Sequence, residues 1–142
     1  MIQVAELTGR TGPDPARPIR VLVVEDSEGV RERLVGMLSE IEGVDVVGEA
    51  RSAREAIEQA ATLQPDLLTL DLELADGSGF AVLHSVLACT PPPLVAVVSN
   101  HASQPIRRRC LNAGANFFFD KSLEFEALAE AVSNLVTLRT RK

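Results

Sequence analysis

The 142 residues are 46% hydrophobic and 24% charged, with nine Gly and eight Pro, which fits one globular domain and excludes a disordered, collagen-like or disulfide-dense chain. Fourteen Lys and Arg against twenty Asp and Glu leave a formal charge of −6, which offers no electrostatic footprint for direct nucleic-acid binding. Cys89 and Cys110 form no Cys-x-x-Cys pair, no apolar run nears the roughly 18 residues of a membrane span, and the N-terminus lacks a signal-peptide core, so the expectation is a cytoplasmic protein without membrane insertion.

Gly9, Gly12, Pro13, Pro15 and Pro18 break any long element near the start, so residues 1–18 are read as a flexible extension and 19–142 as the domain. Arg20 to Glu25 is a β-branched, buried strand bounded by Asp26-Ser27-Glu28. Val30, Leu34, Met37, Leu38 and Ile41 then share a helical face, with Gly43 as the stop. Val44 to Glu49 is a second strand. Ser52-Ala-Arg-Glu55 has capping-box spacing and opens a helix that Pro65 ends. Leu67 to Asp71 is a third strand, apolar until its last residue, as expected where both faces of a parallel strand are covered.

Phe80, Leu83, Val86 and Leu87 have helical spacing after Gly77-Ser-Gly79, and Pro91-Pro-Pro93 stops that helix. Leu94 to Ser99 is strand four, about 104–113 a shorter helix closed by Gly114, and Phe117-Phe-Phe119 strand five. Glu124 and Glu126 open the last helix, and Arg139, Arg141 and Lys142 close it, both suited to the helix dipole. On the fourth helix, Arg107-Arg-Arg109 reads as a solvated charged face, with partner contact as the alternative. Five βα units in succession predict an α/β fold: a three-layer, doubly wound (βα)5 parallel sheet.

Ligands of open α/β sheets bind at the carboxyl ends of the strands. There the sequence delivers Glu25 and Asp26, then Asp71, then Ser99, then Lys121. Three carboxylates in one crevice repel unless a cation compensates, and an all-oxygen set selects a hard ion such as Mg²⁺. A carboxylate so placed can attack phosphorus, provided that the charge on the phosphoryl oxygens is neutralised, which Mg²⁺ and Lys121 would do, with the Ser99 hydroxyl as a donor.

Val23-Val-Glu-Asp-Ser27, Leu70-Asp-Leu-Glu-Leu-Ala-Asp-Gly-Ser-Gly79 and Gly114-Ala-Asn-Phe-Phe-Phe-Asp-Lys-Ser122 resemble the receiver domain of two-component response regulators, over about residues 19–138. The resemblance implies a flavodoxin-like sheet of order 2-1-3-4-5 and a phosphoacceptor Asp71 charged by a histidine kinase or phosphotransfer protein. It further implies Mg²⁺ on Asp26, Asp71 and the main-chain carbonyl of Glu73, with Glu25 acting through water. Ser99 and Phe118 would form the switch that changes binding of a downstream protein target; from the residues alone Phe118 is equally a core residue. The only catalysis implied is the domain's own phosphoryl transfer and dephosphorylation. The chain ends about 20 residues after Lys121, so the expectation is a stand-alone receiver.

Three positions depart from the family pattern. Ala75 and Ser122 stand where Pro is usual, and Asn100 where a small residue is usual. A cis bond before a non-proline costs about 3 kcal/mol, so a trans Lys121–Ser122 bond is expected; Asn100 is expected to crowd the approach of a phosphate. Two other functions remain open at this stage. A phosphorylation-independent binding module would keep the fold and tolerate Asp71→Asn. A Mg²⁺-dependent phosphohydrolase of the haloacid-dehalogenase type would need Asp-x-Asp after the first strand, where this chain has Asp71-x-Glu73 after the third.

Overall fold

The structure is a computed structural model describing residues 17–140, so the expected extension lies outside the described residues but for Arg17 and Pro18. Five parallel strands, β1 (Ile19–Val24), β2 (Val44–Ala50), β3 (Leu67–Leu70), β4 (Leu94–Ser99) and β5 (Phe117–Asp120), form one sheet in the order β2-β1-β3-β4-β5. Helices α1 (Glu28–Ser39), α2 (Ala53–Leu63), α3 (Gly79–Leu87), α4 (Gln104–Asn112) and α5 (Phe125–Thr140) make the crossovers. The doubly wound fold predicted from the sequence is the one observed.

Strand side chains alternate between faces, and each face has its own core. Leu22, Val24, Leu68, Leu70, Val95, Val97 and Phe118 pack with α2, α3 and α4. Val21, Val23, Leu67, Ala96, Val98 and Phe119 pack with Leu34 and Leu38 of α1 and Leu128, Val132 and Leu135 of α5. Helices on both sides explain why the strands read as continuous apolar runs. Each buried Leu or Val contributes on the order of 1.5–3 kcal/mol.

Side-chain caps start four helices: Ser27, Ser52, Ser78 and Ser103 each accept a backbone N–H from the first turn. The predicted capping box is offset by one residue, because Glu55 accepts the N–H of Arg51 (2.8 Å) while Ser52 accepts that of Glu55 (3.1 Å). Helix α1 stops at Ser39, short of Gly43, which carries φ +91° before β2. After Asp71 the chain makes a two-residue hairpin, Glu73–Leu74 against Gly77–Ser78, that the sequence pattern did not announce. Gly79 follows it and donates to Leu72 O at 2.8 Å; a Cβ there would collide with the Asp71 carbonyl and Leu72 Cα.

Arg139 stands in the last turn of α5, as the helix-dipole reading expects, and is 1% exposed: it donates to Pro18 O (3.1 Å) and pairs with the buried Asp66 carboxylate at 3.5 Å. The last turn of α5 crosses the amino ends of the strands, where these acceptors sit. Arg141 and Lys142 lie outside the described residues. Arg108 and Arg109 are exposed and Arg107 is half-buried, so the run is solvated as expected except at Arg107, while the guanidinium groups of Arg107 and Arg109 also lie 4.8 Å and 4.0 Å from the ring centres of Phe118 and Phe80. No helix of the described residues is long and apolar enough to cross a membrane.

Candidate functional site

The carboxyl ends of β1, β3 and β5 bring Glu25, Asp26, Asp71 and Lys121 together. Glu25 and Asp71 are buried and Asp26 is exposed, and ligand oxygens from these three carboxylates all lie within 4.8 Å of one another. Lys121, one residue beyond β5, places Nζ 2.9 Å from Glu25 Oε1 and 3.4 Å from Asp71 Oδ1. Its backbone N–H donates to Ser99 O (2.9 Å), which fixes the β5 end against β4.

Burial and then the neighbouring Glu25 carboxylate push the Asp71 pKa up to about 7; Lys121, the N–H of Glu73 (3.2 Å to Oδ1) and Asp26 act more weakly, the first two downward and the last upward. For Lys121, burial disfavours the ammonium, but contact with Glu25 and Asp71 outweighs it and holds the pKa above the ordinary lysine value. The site is therefore short of positive charge. Asp71 has taken up part of the repulsion as proton affinity, as expected of an all-oxygen set shaped for a hard cation. The donor set thus fits a divalent metal.

Ser99 is 1% exposed, and its hydroxyl accepts the N–H of His101 at 2.9 Å, leaving the hydroxyl proton for another acceptor. Phe118 is buried and inward-facing, beneath Arg107. Asn100 is exposed, with Oδ1 3.4 Å from Ser122 Oγ, so its amide engages the neighbouring loop. Thr90–Pro91 is the only cis bond among the described residues, so Lys121–Ser122 is trans, as expected.

Several residues around the site escaped sequence reasoning. Arg31, buried in α1, donates to Glu25 O (3.0 Å) and pairs with Glu49 (3.3 Å), fixing the backbone that carries the acidic pair. Asp76, in the hairpin after Asp71, accepts the N–H groups of Ala53 and Arg54 at the start of α2, which hold its carboxyl below the usual range. His101 pairs with Glu73 at 2.7 Å; both line a cleft of about 490 Å³ with Leu72, Phe80 and Ile106. A basic or acidic residue spaced to an element boundary is the only signal the sequence held for these.

A family model of the response regulator receiver domain matches residues 21–133. The chain belongs to that family. It is 41% identical over 122 residues, 84% of this chain, to protein-glutamate methylesterase/protein-glutamine glutaminase 5 of Myxococcus xanthus, and covers 35% of that protein. It is 32% identical over 114 residues, 80% of this chain, to response regulator GacA of Pseudomonas viridiflava, and covers 53% of it. The chain thus spans about a third to a half of the length of these relatives. Among solved structures, the response regulator domain of Thermotoga maritima CheB superposes with a TM-score of 0.73 at 30% identity, covering 89% of this chain and 98% of that one. A receiver fold with this acidic cluster is consistent with a phosphoacceptor site for phosphorelay signalling.

Proposed function

We propose that this receiver, residues 19–142 with 1–18 preceding it, accepts a phosphoryl group on Asp71 from the phosphohistidine of a histidine kinase or phosphotransfer protein, and thereby alters binding of a downstream protein target. The supporting observation is that Lys121, the one cation paired with these groups among the described residues, is set between Glu25 and Asp71 where three carboxylates meet. In the transfer, an Asp71 carboxylate oxygen forms a P–O bond as the P–N bond breaks. The phosphohistidine ring enters protonated on its other nitrogen, takes the electron pair of the P–N bond, and so departs as neutral imidazole.

Mg²⁺ is the cation we assign, held by Asp26, Asp71 and the main-chain carbonyl of Glu73, with Glu25 acting through water. Bound there, it supplies neutralisation of charge on the transferring phosphoryl oxygens. Lys121 supplies the second positive charge by exchanging Glu25 for a phosphoryl oxygen, and the Ser99 hydroxyl donates to another. Ser99 and Phe118 form the switch, the hydroxyl moving toward the phosphoryl group and the aromatic ring turning inward. The soluble, cytoplasmic setting of phosphorelay proteins belongs to the same reading.

Peptide mapping after incubation with Mg²⁺ and a small acyl phosphate tests the assignment. The label is expected on the peptide that carries Asp71, and label confined to another residue would overturn it.

A further inference from the structure

Helix α4 buries one residue, Cys110, whereas each of the other four helices buries three or more. Apolar packing therefore holds it weakly, and such an element sits at the low-stability end of a fold. Ile106 packs half-buried against the core beside Cys110, and arginines add to this attachment. Arg109 stacks on Phe80 of α3. Arg107 does more: its guanidinium covers the Phe118 ring, Nη1 donates to Phe118 O (3.2 Å), and Nη2 donates to Glu124 Oε1 (3.1 Å). That same Glu124 oxygen accepts the N–H of Asp120 at 2.8 Å. One side chain thus binds both sides of the turn that presents Lys121 to the acidic pocket. A planar fork can stack on the ring and reach both acceptors together, which the point charge of a lysine cannot.

We propose that Arg107 is the positioning residue through which the state of the acidic pocket reaches helix α4. The inference rests on the preceding reading, that a phosphoryl group on Asp71 draws Lys121 away from Glu25. Lys121, Asp120 and Phe118 lie within four consecutive residues, so movement of the lysine shifts the carbonyl and N–H groups on which Arg107 and Glu124 close. With few apolar contacts of its own, α4 follows the guanidinium. The competing route is covalent, through residues 100–103 between β4 and α4, and substitution of Arg107 separates the two.

The experiment is hydrogen exchange of segment 104–112 in the full chain, with and without Mg²⁺ plus beryllofluoride, a non-covalent stand-in for the phosphoryl group. Its binding is followed separately by fluorine NMR. In the wild type the exchange rate of the segment is expected to change about fivefold on binding, the low end of ordinary coupling between sites. In Arg107→Ala the stand-in still binds but the change at 104–112 is lost, and Arg107→Lys restores only part of it. Glu124→Ala, which removes the other anchor, is expected to behave as Arg107→Ala does and serves if that variant fails to fold. A response at 104–112 that persists undiminished in the variants overturns the proposal. Binding without any response in the wild type overturns it too, while leaving the phosphoacceptor reading intact; absence of binding in the wild type defeats both.

Discussion

The Lys121 ammonium lies nearer to Glu25, at 2.9 Å, than to Asp71, at 3.4 Å. Both carboxylates are buried, and Lys121 is the cation paired with each, so its removal leaves negative charge uncompensated in a site of restricted solvation. Breaking a buried pair from one side costs on the order of 3–5 kcal/mol. Lys121→Ala is expected to lower the melting temperature at pH 8, to bind Mg²⁺ more tightly, and to slow phosphoryl uptake at least about tenfold, equivalent to some 1.4 kcal/mol of barrier. Calorimetry with and without Mg²⁺, and the rate of mass gain, read all three.

Asp71 gives the site a pH signature. Its pKa rises from 3.8 in a free side chain to about 7 in the fold, so between those values the folded state binds more protons than the unfolded state. Its contribution therefore favours the fold below about pH 4 and is lost as pH rises through about 7. Without metal, the wild type is expected to lose stability relative to Asp71→Asn between pH 5 and pH 8. Mg²⁺ competes with the proton, so the rise in melting temperature at millimolar Mg²⁺ is expected to be larger at pH 8 than at pH 5. Thermal melts of both proteins across this range check the sign.

Asp76 acts in the opposite direction. Two N–H donors at the start of α2 hold its pKa low, so its contribution is present above the ordinary carboxylate range and lost as pH falls through the depressed value. Asp76→Asn keeps an acceptor and Asp76→Ala does not. Melting temperatures at neutral pH are expected to run wild type, then Asn, then Ala, with the differences narrowing in acid.

Gly79 tests the backbone behind the nucleophile. A methyl group there meets the Asp71 carbonyl and Leu72 Cα, which are main chain and cannot rotate away. Gly79→Ala is expected to destabilise by about 1–3 kcal/mol through overpacking and to displace Asp71. A chemical denaturation curve gives the first effect; a changed Asp71 pKa by carboxylate NMR gives the second.

Much of the site was legible because a parallel sheet gathers all its strand ends at one edge. With Glu25, Asp26, Asp71 and Lys121 at strand ends, their meeting follows from the topology. Pairs set by helix rotation and long side-chain reach were hidden. Arg107 looked like one member of a solvated run, yet its fork spans Phe118 and Glu124. Arg139 stands where the helix dipole favours it, and it also reaches Pro18, 121 residues away in sequence. Neither partner shares a periodic pattern with its arginine, so only the packed geometry reveals the pairing.

The most direct test of the account is intact mass after incubation with Mg²⁺ and a small acyl phosphate, run on the wild type, on Asp71→Asn and on a chelator-treated sample. One phosphoryl group is expected to be gained in the wild type and none in either control. A gain that survives Asp71→Asn, or a wild type that stays unmodified by every acyl phosphate and phosphohistidine donor supplied with Mg²⁺, would contradict it.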